Sequence, residues 1–306
     1  MSKMSMQNLD CAALDLKEID ISPFFIVGNT VYGGRGCFST RPIPSGTQIH
    51  YCPTPIGFTI SRLFKKEVCN WCFKYEHGRV MRTDKYYTLG LRKAKKEINY
   101  LVQGDDDIDE HARNSWKLAD LWNDEIDSMK ESKRIESLPC LDEIEYAEAI
   151  YVLQVLFNFY KTKSQLSHSP QLSNSENLEL LLFSTLESNE TEKYRKYPYL
   201  VQSYINIFKF IKLTCSKELQ PFVNSKTVRD IIGKNLSNAF GIWSHAKSSS
   251  EDKELLGFAV YPSASFFNHS CEANIKKIRI KNDMKFVTLR DIGPGEELCI
   301  QMVFHL

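Results

Sequence analysis

Apolar positions follow two rhythms along this chain. Near both ends they form short runs or alternate with polar residues, and in the middle they recur every three to four residues. Phe24-Phe25-Ile26-Val27 is a strand-length run. Gly28-Asn29 and then Tyr32-Gly33-Gly34-Arg35-Gly36-Cys37-Phe38 follow it. Pro42, Pro44, Gly46, Pro53, Pro55 and Gly57 punctuate the next stretch and leave room for a strand at Gln48–Cys52. Over 142–163, Ile144, Ala147, Ala149-Ile150-Tyr151, Leu153 and Leu156-Phe157 recur at helical spacing behind Asp142, a candidate N-cap. Residues 164–177 are rich in Ser, Asn and Pro and read as a loop. Helices are expected over 176–188, over 192–217 with Pro198 near its start, and over 225–240. The last begins at Ser225 and carries the stripe Val228, Ile231-Ile232, Leu236 and Phe240. The pattern then returns to strands at 255–261, 275–280, 285–290 and 298–304, with Lys281-Asn282-Asp283 as a hairpin turn. The order β, helices, β predicts an α+β protein in which one β domain is interrupted by a long helical insertion.

Composition narrows the class. The chain has 306 residues, 42% hydrophobic and 25% charged, which is ordinary globular usage. Lys plus Arg number 39 and Asp plus Glu 38, so the net charge of +1 gives no global field, and no direct nucleic-acid binding is expected. The nine cysteines are odd in number and widely spaced, the start is acidic where a secretory segment would be apolar, and no run approaches a membrane span. These features predict reduced thiols, an intracellular location and no membrane partner. The acidic run 105–110 lacks the Gly and terminal Glu of a calcium loop and reads as a helix start, and the basic run 93–96 reads as solvated surface.

Two segments carry candidate chemistry. Gly33-Gly34-Arg35-Gly36 is a turn that uses glycine at positive φ, without the spacing of a dinucleotide or phosphate loop. Asn268-His269-Ser270-Cys271 sets an amide, an imidazole, a hydroxyl and a thiol side by side. One reading is a hydrolase that uses His269 and Cys271, although neighbours on one backbone seldom present nucleophile and base to each other. Another is a helical adaptor built on the insertion.

Taken together, the Gly-Arg-Gly turn, the block Tyr261-Pro-Ser-x-Ser-x-x-Asn268-His-Ser-Cys-x-x-Asn274 and Gly295-Glu296-Glu297-Leu298 resemble SET-domain protein methyltransferases. The long interruption and Cys69-x-x-Cys72 resemble the split-SET, SMYD-type branch and its fungal members. The resemblance covers the two chain ends. It implies a β-rich split SET domain that binds S-adenosylmethionine on one side and a protein or peptide lysine, of a histone or another protein, on the other. It assigns Gly33, Gly34, Arg35, Asn238 and the segment Ser265, Phe266, Phe267, Asn268 and His269 to the cofactor, with Tyr261 structural. It divides the chain into an N-terminal SET part (1–60), a degenerate MYND-like segment (61–110), a helical insertion (111–225) and a C-terminal SET part (226–306). It places the protein in the nucleus or cytoplasm.

The sequence departs from the family pattern in three places. Met302 stands where the catalytic tyrosine belongs, so no catalytic residue is assigned, and Met offers no hydroxyl to orient an amine. The cysteine-rich tail that follows the family's core is absent after Leu306, leaving Cys271 without the partners with which it would share a zinc ion. Cys69 and Cys72 have only Cys52, His77 and His111 nearby, too few for a complete two-site MYND module, so no metal is expected there. These departures support the alternative of a catalytically inactive cofactor- or peptide-binding interaction module.

Overall fold

The computed structural model describes residues 16, 19–70, 72–75, 105–168, 174–244 and 253–301. His77, the basic run 93–96, most of the MYND-like span and Met302 lie outside the described residues. The order is β1 (Phe25–Asn29), β2 (Arg35–Ser39), β3 (Gln48–Cys52), β4 (Gly57–Ile60), α1 (Asp105–Ile126), α2 (Glu131–Glu136), α3 (Glu143–His168), α4 (Asn174–Thr185), α5 (Glu190–Lys196), α6 (Leu200–Thr214) and α7 (Ser225–Asn238). Strands β5 (Ala239–Trp243), β6 (Leu255–Val260), β7 (Asn268–His269), β8 (Ile275–Ile280), β9 (Asp283–Thr288) and β10 (Glu297–Ile300) complete it. The α+β class and the central helical block expected from the pattern are present.

The chain packs as two units. The first takes residues 1–55, 173–186 and 261–306, the second 56–172 and 187–260. Helix α4, which the sequence placed inside the insertion, thus folds with the chain ends.

In the first unit one sheet runs β1-β2-β10-β7 and another β3-β9-β8. Its core is aromatic. Phe267 lies 4.7 Å from Phe286 and 5.1 Å from Phe25, centroid to centroid. His50 stands 5.5 Å from Phe25, and burial pushes its imidazole down to about 4, so it is neutral. Strands β8 and β9 pair from Ile275↔Thr288 to Ile280↔Asp283, so the tight turn is Lys281-Asn282, with Lys281 at φ 58°. The second strand starts two residues earlier than the pattern placed it.

In the second unit a β4-β6-β5 sheet packs with the helices. Helix α3 is its centre, burying Tyr151, Val152, Val155 and Leu156. Asp142 caps it through a reciprocal box. Its carboxylate accepts from Glu145 N–H at 2.8 Å, and its own N–H donates to the Glu145 carboxylate at 3.0 Å. The helix continues to His168, through the first part of the expected loop. Pro198 splits the expected long helix into α5 and α6, because it supplies no N–H and keeps Tyr197 out of the helical region, at φ −137° and ψ 78°. Helix α7 begins at Ser225 as expected and is capped by Asn224, whose side chain accepts from Thr227 N–H at 2.9 Å. Beyond Asn238 the chain becomes β5, because residues 239–243 pair with β6.

The buried face of α3 differs from the apolar stripe of the sequence. Ile144 and Phe157 are exposed, whereas Glu145 and Glu148 are buried. Both Glu148 oxygens accept from Asn235 Nδ2 at 2.8 Å, and burial pushes the carboxyl up from 4.5 to about 7. The unfolded chain releases this proton near 4.5 and the native chain only near 7, so stability falls as pH rises through that window. Glu148→Gln should remove that slope, raising relative stability at pH 8 over pH 5 by about 2–3 kcal/mol. Urea denaturation at the two pH values checks it, and an unchanged slope would contradict the assignment.

Candidate functional site

Between β1 and β2 the chain reverses over residues 30–34. Thr30 N–H donates to Gly34 C=O at 3.1 Å, and Gly33 N–H donates to Thr30 C=O at 3.3 Å. The Thr30 hydroxyl donates to Gly33 C=O at 2.5 Å. Gly33 and Gly34 have φ of 96° and 75°, which L side chains rarely adopt. No heavy atom lies within 4 Å of where a Cβ would sit on either, so the conformation demands glycine and the backbone stays bare. Gly36 is glycine for lack of space. A Cβ there would sit 2.6 Å from Glu297 Oε1 and 2.8 Å from Asn268 Nδ2.

Those two atoms belong to a cluster centred on Asn268. Its Nδ2 donates to Arg35 C=O and to Glu297 Oε1, each at 2.9 Å, and lies 3.0 Å from Tyr32 Oη. The Tyr32 hydroxyl donates to Glu297 Oε1 at 2.6 Å. Burial of the hydroxyl and the bond to Glu297 push this phenol up to about 12, so it remains a donor at neutral pH. The carbonyl and the carboxylate only accept, which fixes the amide with its NH₂ toward them and turns Oδ1 the other way.

The sheet brings these parts together. Strand β10 pairs antiparallel with β2 through Glu297↔Phe38 and Leu298↔Cys37. On its other side it pairs parallel with β7 through Cys299↔Asn268 and Ile300↔His269. Asn274 holds the approach to β10. Its Nδ2 donates to Glu297 C=O at 2.7 Å, and its Oδ1 accepts from Cys299 N–H at 2.8 Å. The Gly295 turn, at φ 77°, sets β10 on course, and Glu296 in it is held below the usual carboxylate range by Arg290.

The other expected site residues have distinct fates. The Arg35 guanidinium stacks 5.2 Å over the Phe266 ring and donates to Thr185 C=O at 2.7 Å. Phe267 is buried in the aromatic core, and Ser265 Oγ donates to Tyr261 C=O at 3.0 Å. The Tyr261 hydroxyl donates to Asn282 C=O at 2.7 Å, as a structural residue would. Asn238 belongs to the other unit, where its amide donates to Lys234 C=O at 2.8 Å. His269 Nε2 and Cys271 Sγ are 3.5 Å apart and exposed, nearer each other than expected of neighbours. Cys69 and Cys72 are half-buried thiols in the second unit. Among the described residues, no group of three or more His, Cys, Asp or Glu side chains gathers in a way that could hold a metal ion.

Sequence reasoning missed Tyr32, Gly36, Glu297 and Asn274 as individual contributors. Glu297 and Asn274 stood inside recognised motifs. Tyr32 gave no signal, because its role depends on a partner 265 positions away.

Comparison with known proteins adds a family. Residues 34–301 match the SET domain. The potential protein lysine methyltransferase SET6 of Saccharomyces cerevisiae is 29% identical, with 92% of this chain and 88% of that protein aligned. The histone-lysine N-methyltransferase ATXR4 of Arabidopsis thaliana is 26% identical over 90% of this chain and 76% of its own length. A SET and MYND domain-containing protein of Dictyostelium discoideum is 38% identical over 26% of this chain and 19% of that protein.

Proposed function

Because the chain belongs to the SET-domain family, we propose that it is an S-adenosylmethionine-dependent protein-lysine N-methyltransferase of the split-SET, SMYD-type branch. It acts on a histone or another lysine-bearing protein, within the nucleus or cytoplasm. Its SET parts are 1–60 and 226–306, and 61–110 is a MYND remnant ahead of the helical insertion 111–225. The observation that carries this reading is the meeting of Arg35, which follows the Gly33–Gly34 turn, and Glu297 at the Asn268 amide. No helix among the described residues is long and apolar enough to cross a membrane.

The residues present fit such a cofactor. Gly33 and Gly34 offer bare backbone with open space beside it, and Asn268 offers an Oδ1 whose direction is already set. S-adenosylmethionine supplies a sulfonium methyl that is already activated. This chain's part is to bind and orient. Gly33, Gly34 and Arg35 hold one flank and Ser265 to His269 the other. A lysine amine, ordinarily near 10.4, must arrive neutral, and apolar surroundings favour that form. Alignment of amine and methyl supplies the remaining rate enhancement.

Met302, where the family's tyrosine hydroxyl belongs, favours a second reading. It is a cofactor- or peptide-binding module without turnover. One experiment separates the two. Calorimetry should register S-adenosylmethionine binding, weakened by about 1–3 kcal/mol in Asn268→Ala through loss of a polar contact. Labelled methyl should then pass to histones or to a protein in cell extract. Binding without transfer supports the module, and no binding by the folded chain sinks the methyltransferase reading and leaves only a peptide-binding module.

A further inference from the structure

Ser263 is fully buried, yet its hydroxyl meets three polar side chains from distant parts of the chain. Ser263 Oγ donates to Glu179 Oε1 at 2.5 Å, and Ser263 N–H donates to Glu179 Oε2 at 3.0 Å. With its one proton given to the carboxylate, the oxygen accepts from His50 Nε2 at 2.8 Å and from the Cys52 thiol at 3.3 Å. The set is no hydrolase triad. The carboxylate contacts the serine instead of the imidazole, and Ser263 has no exposure to solvent.

We propose that Glu179 of α4 is a positioning residue for the cofactor segment Ser265–His269, acting through Ser263; this deepens the proposed function and rests on it. Ser263 sits in the short 3₁₀ turn Pro262–Ala264. From that turn two backbone bonds lead forward. Ser265 N–H donates to Pro262 C=O at 3.2 Å, Phe267 N–H donates to Ala264 C=O at 3.2 Å, and Asn268 follows on β7. Fixing both polar groups of Ser263 therefore fixes the entry to Asn268.

The same helix holds the other flank. Thr185 C=O at the end of α4 is one of the carbonyls that a helix leaves without an internal partner, and the Arg35 guanidinium donates to it at 2.7 Å. Glu179 and Thr185 are six residues apart, about 9 Å along a helix axis. Helix α4 thus acts as a spacer between the turn at Gly33–Arg35 and the segment that carries Asn268. Packing alone does not call for this design. A mostly buried carboxylate costs desolvation that an apolar side chain of similar volume would avoid. Two directed acceptors on one residue are what it adds.

The test uses the full chain, with hydrogen exchange followed by mass spectrometry and S-adenosylmethionine titration. Glu179→Gln keeps the shape but faces one Ser263 donor with an NH₂ group. It should speed exchange over 262–269 and weaken S-adenosylmethionine about tenfold, the size of one lost polar contact. Combined with Asn268→Ala, it should add nothing further, since both act at the same contact. Glu179→Leu with Ser263→Ala removes the carboxylate and the hydroxyl together, though the N–H of residue 263, His50 Nε2 and the Cys52 thiol lose their acceptors, so the chain should fold with part of its stability regained while affinity stays low. Wild-type affinity and exchange in that double variant would overturn the proposal, leaving Glu179 a packing residue. If the wild-type chain binds no S-adenosylmethionine, the functional reading falls, and the exchange of 262–269 in Glu179→Gln still decides whether Glu179 orders the segment.

Discussion

Gly257→Ala is expected to destabilise the helical unit strongly. Gly257 lies in β6, the central strand of the β4-β6-β5 sheet, opposite Ile60 on one side and Ile242 on the other. A Cβ there would sit 2.0 Å from Thr59 C=O and 2.9 Å from Ile60 Cα. Both obstacles are backbone atoms of a paired strand, so no rotamer change makes room. Either β4 moves away, taking its bonds to β6 with it, or the ladder opens. The cost should be about 3–5 kcal/mol, a large part of an ordinary domain's stability. Gly241→Ala is the control. Its Cβ would also come close, at 2.5 Å, but to Trp243 Nε1 at the end of a side chain that can turn aside. Denaturation midpoints should fall far more for Gly257→Ala than for Gly241→Ala. Equal losses would mean that the close approach of β4 and β6 is not what fixes this glycine.

The second large effect is expected at the site. Asn268→Asp replaces two N–H donors with an oxygen aimed at the Glu297 carboxylate and Arg35 C=O. The new carboxylate would face a like charge and a carbonyl lone pair in a half-buried place. The expected result is loss of S-adenosylmethionine binding by more than a hundredfold, roughly 3 kcal/mol, beyond the effect of Asn268→Ala. Acidification should recover part of the loss, because one shared proton restores a donor between two carboxylates. The sign separates charge from shape. Affinity that improves as pH falls from 7 toward 5 supports the repulsion, and a flat profile would show that the side-chain oxygen is simply misplaced. Equal affinities of the Asp and Ala variants would remove the Glu297 contact from the account.

The sequence carried the local features well. Strand β3 at Gln48–Cys52 and strand β8 at Ile275–Ile280 fall where alternation and turn residues put them. Gly33 and Gly34 take the positive φ expected of their turn. Asp142 caps α3, and the missing N–H of Pro198 breaks a helix that periodicity alone ran through. The errors lie where neighbours decide. Residues 164–168 continue a helix despite loop-like composition. Residues 239 and 240 leave α7 to join a sheet, because β6 offers Val260 and Ala259 as partners. The apolar stripe of α3 misjudged its face, since Glu148 finds Asn235 inside while Phe157 faces outward.

What the sequence determined by itself was the β, helix, β order, the glycine turn and the family motifs. All of these depend on residues within a few positions of one another. Only the tertiary structure decided that Tyr32 and Glu297 hold Asn268, that α4 folds with the chain ends, and that His50, Glu179 and Ser263 share one buried oxygen. Glu179 lies 84 positions and His50 213 positions from Ser263, so no local rhythm registers the contacts. Such meetings are settled when β10 enters between β2 and β7, because strand pairing fixes which distant side chains share a face, and a buried polar group must then find its partner among them.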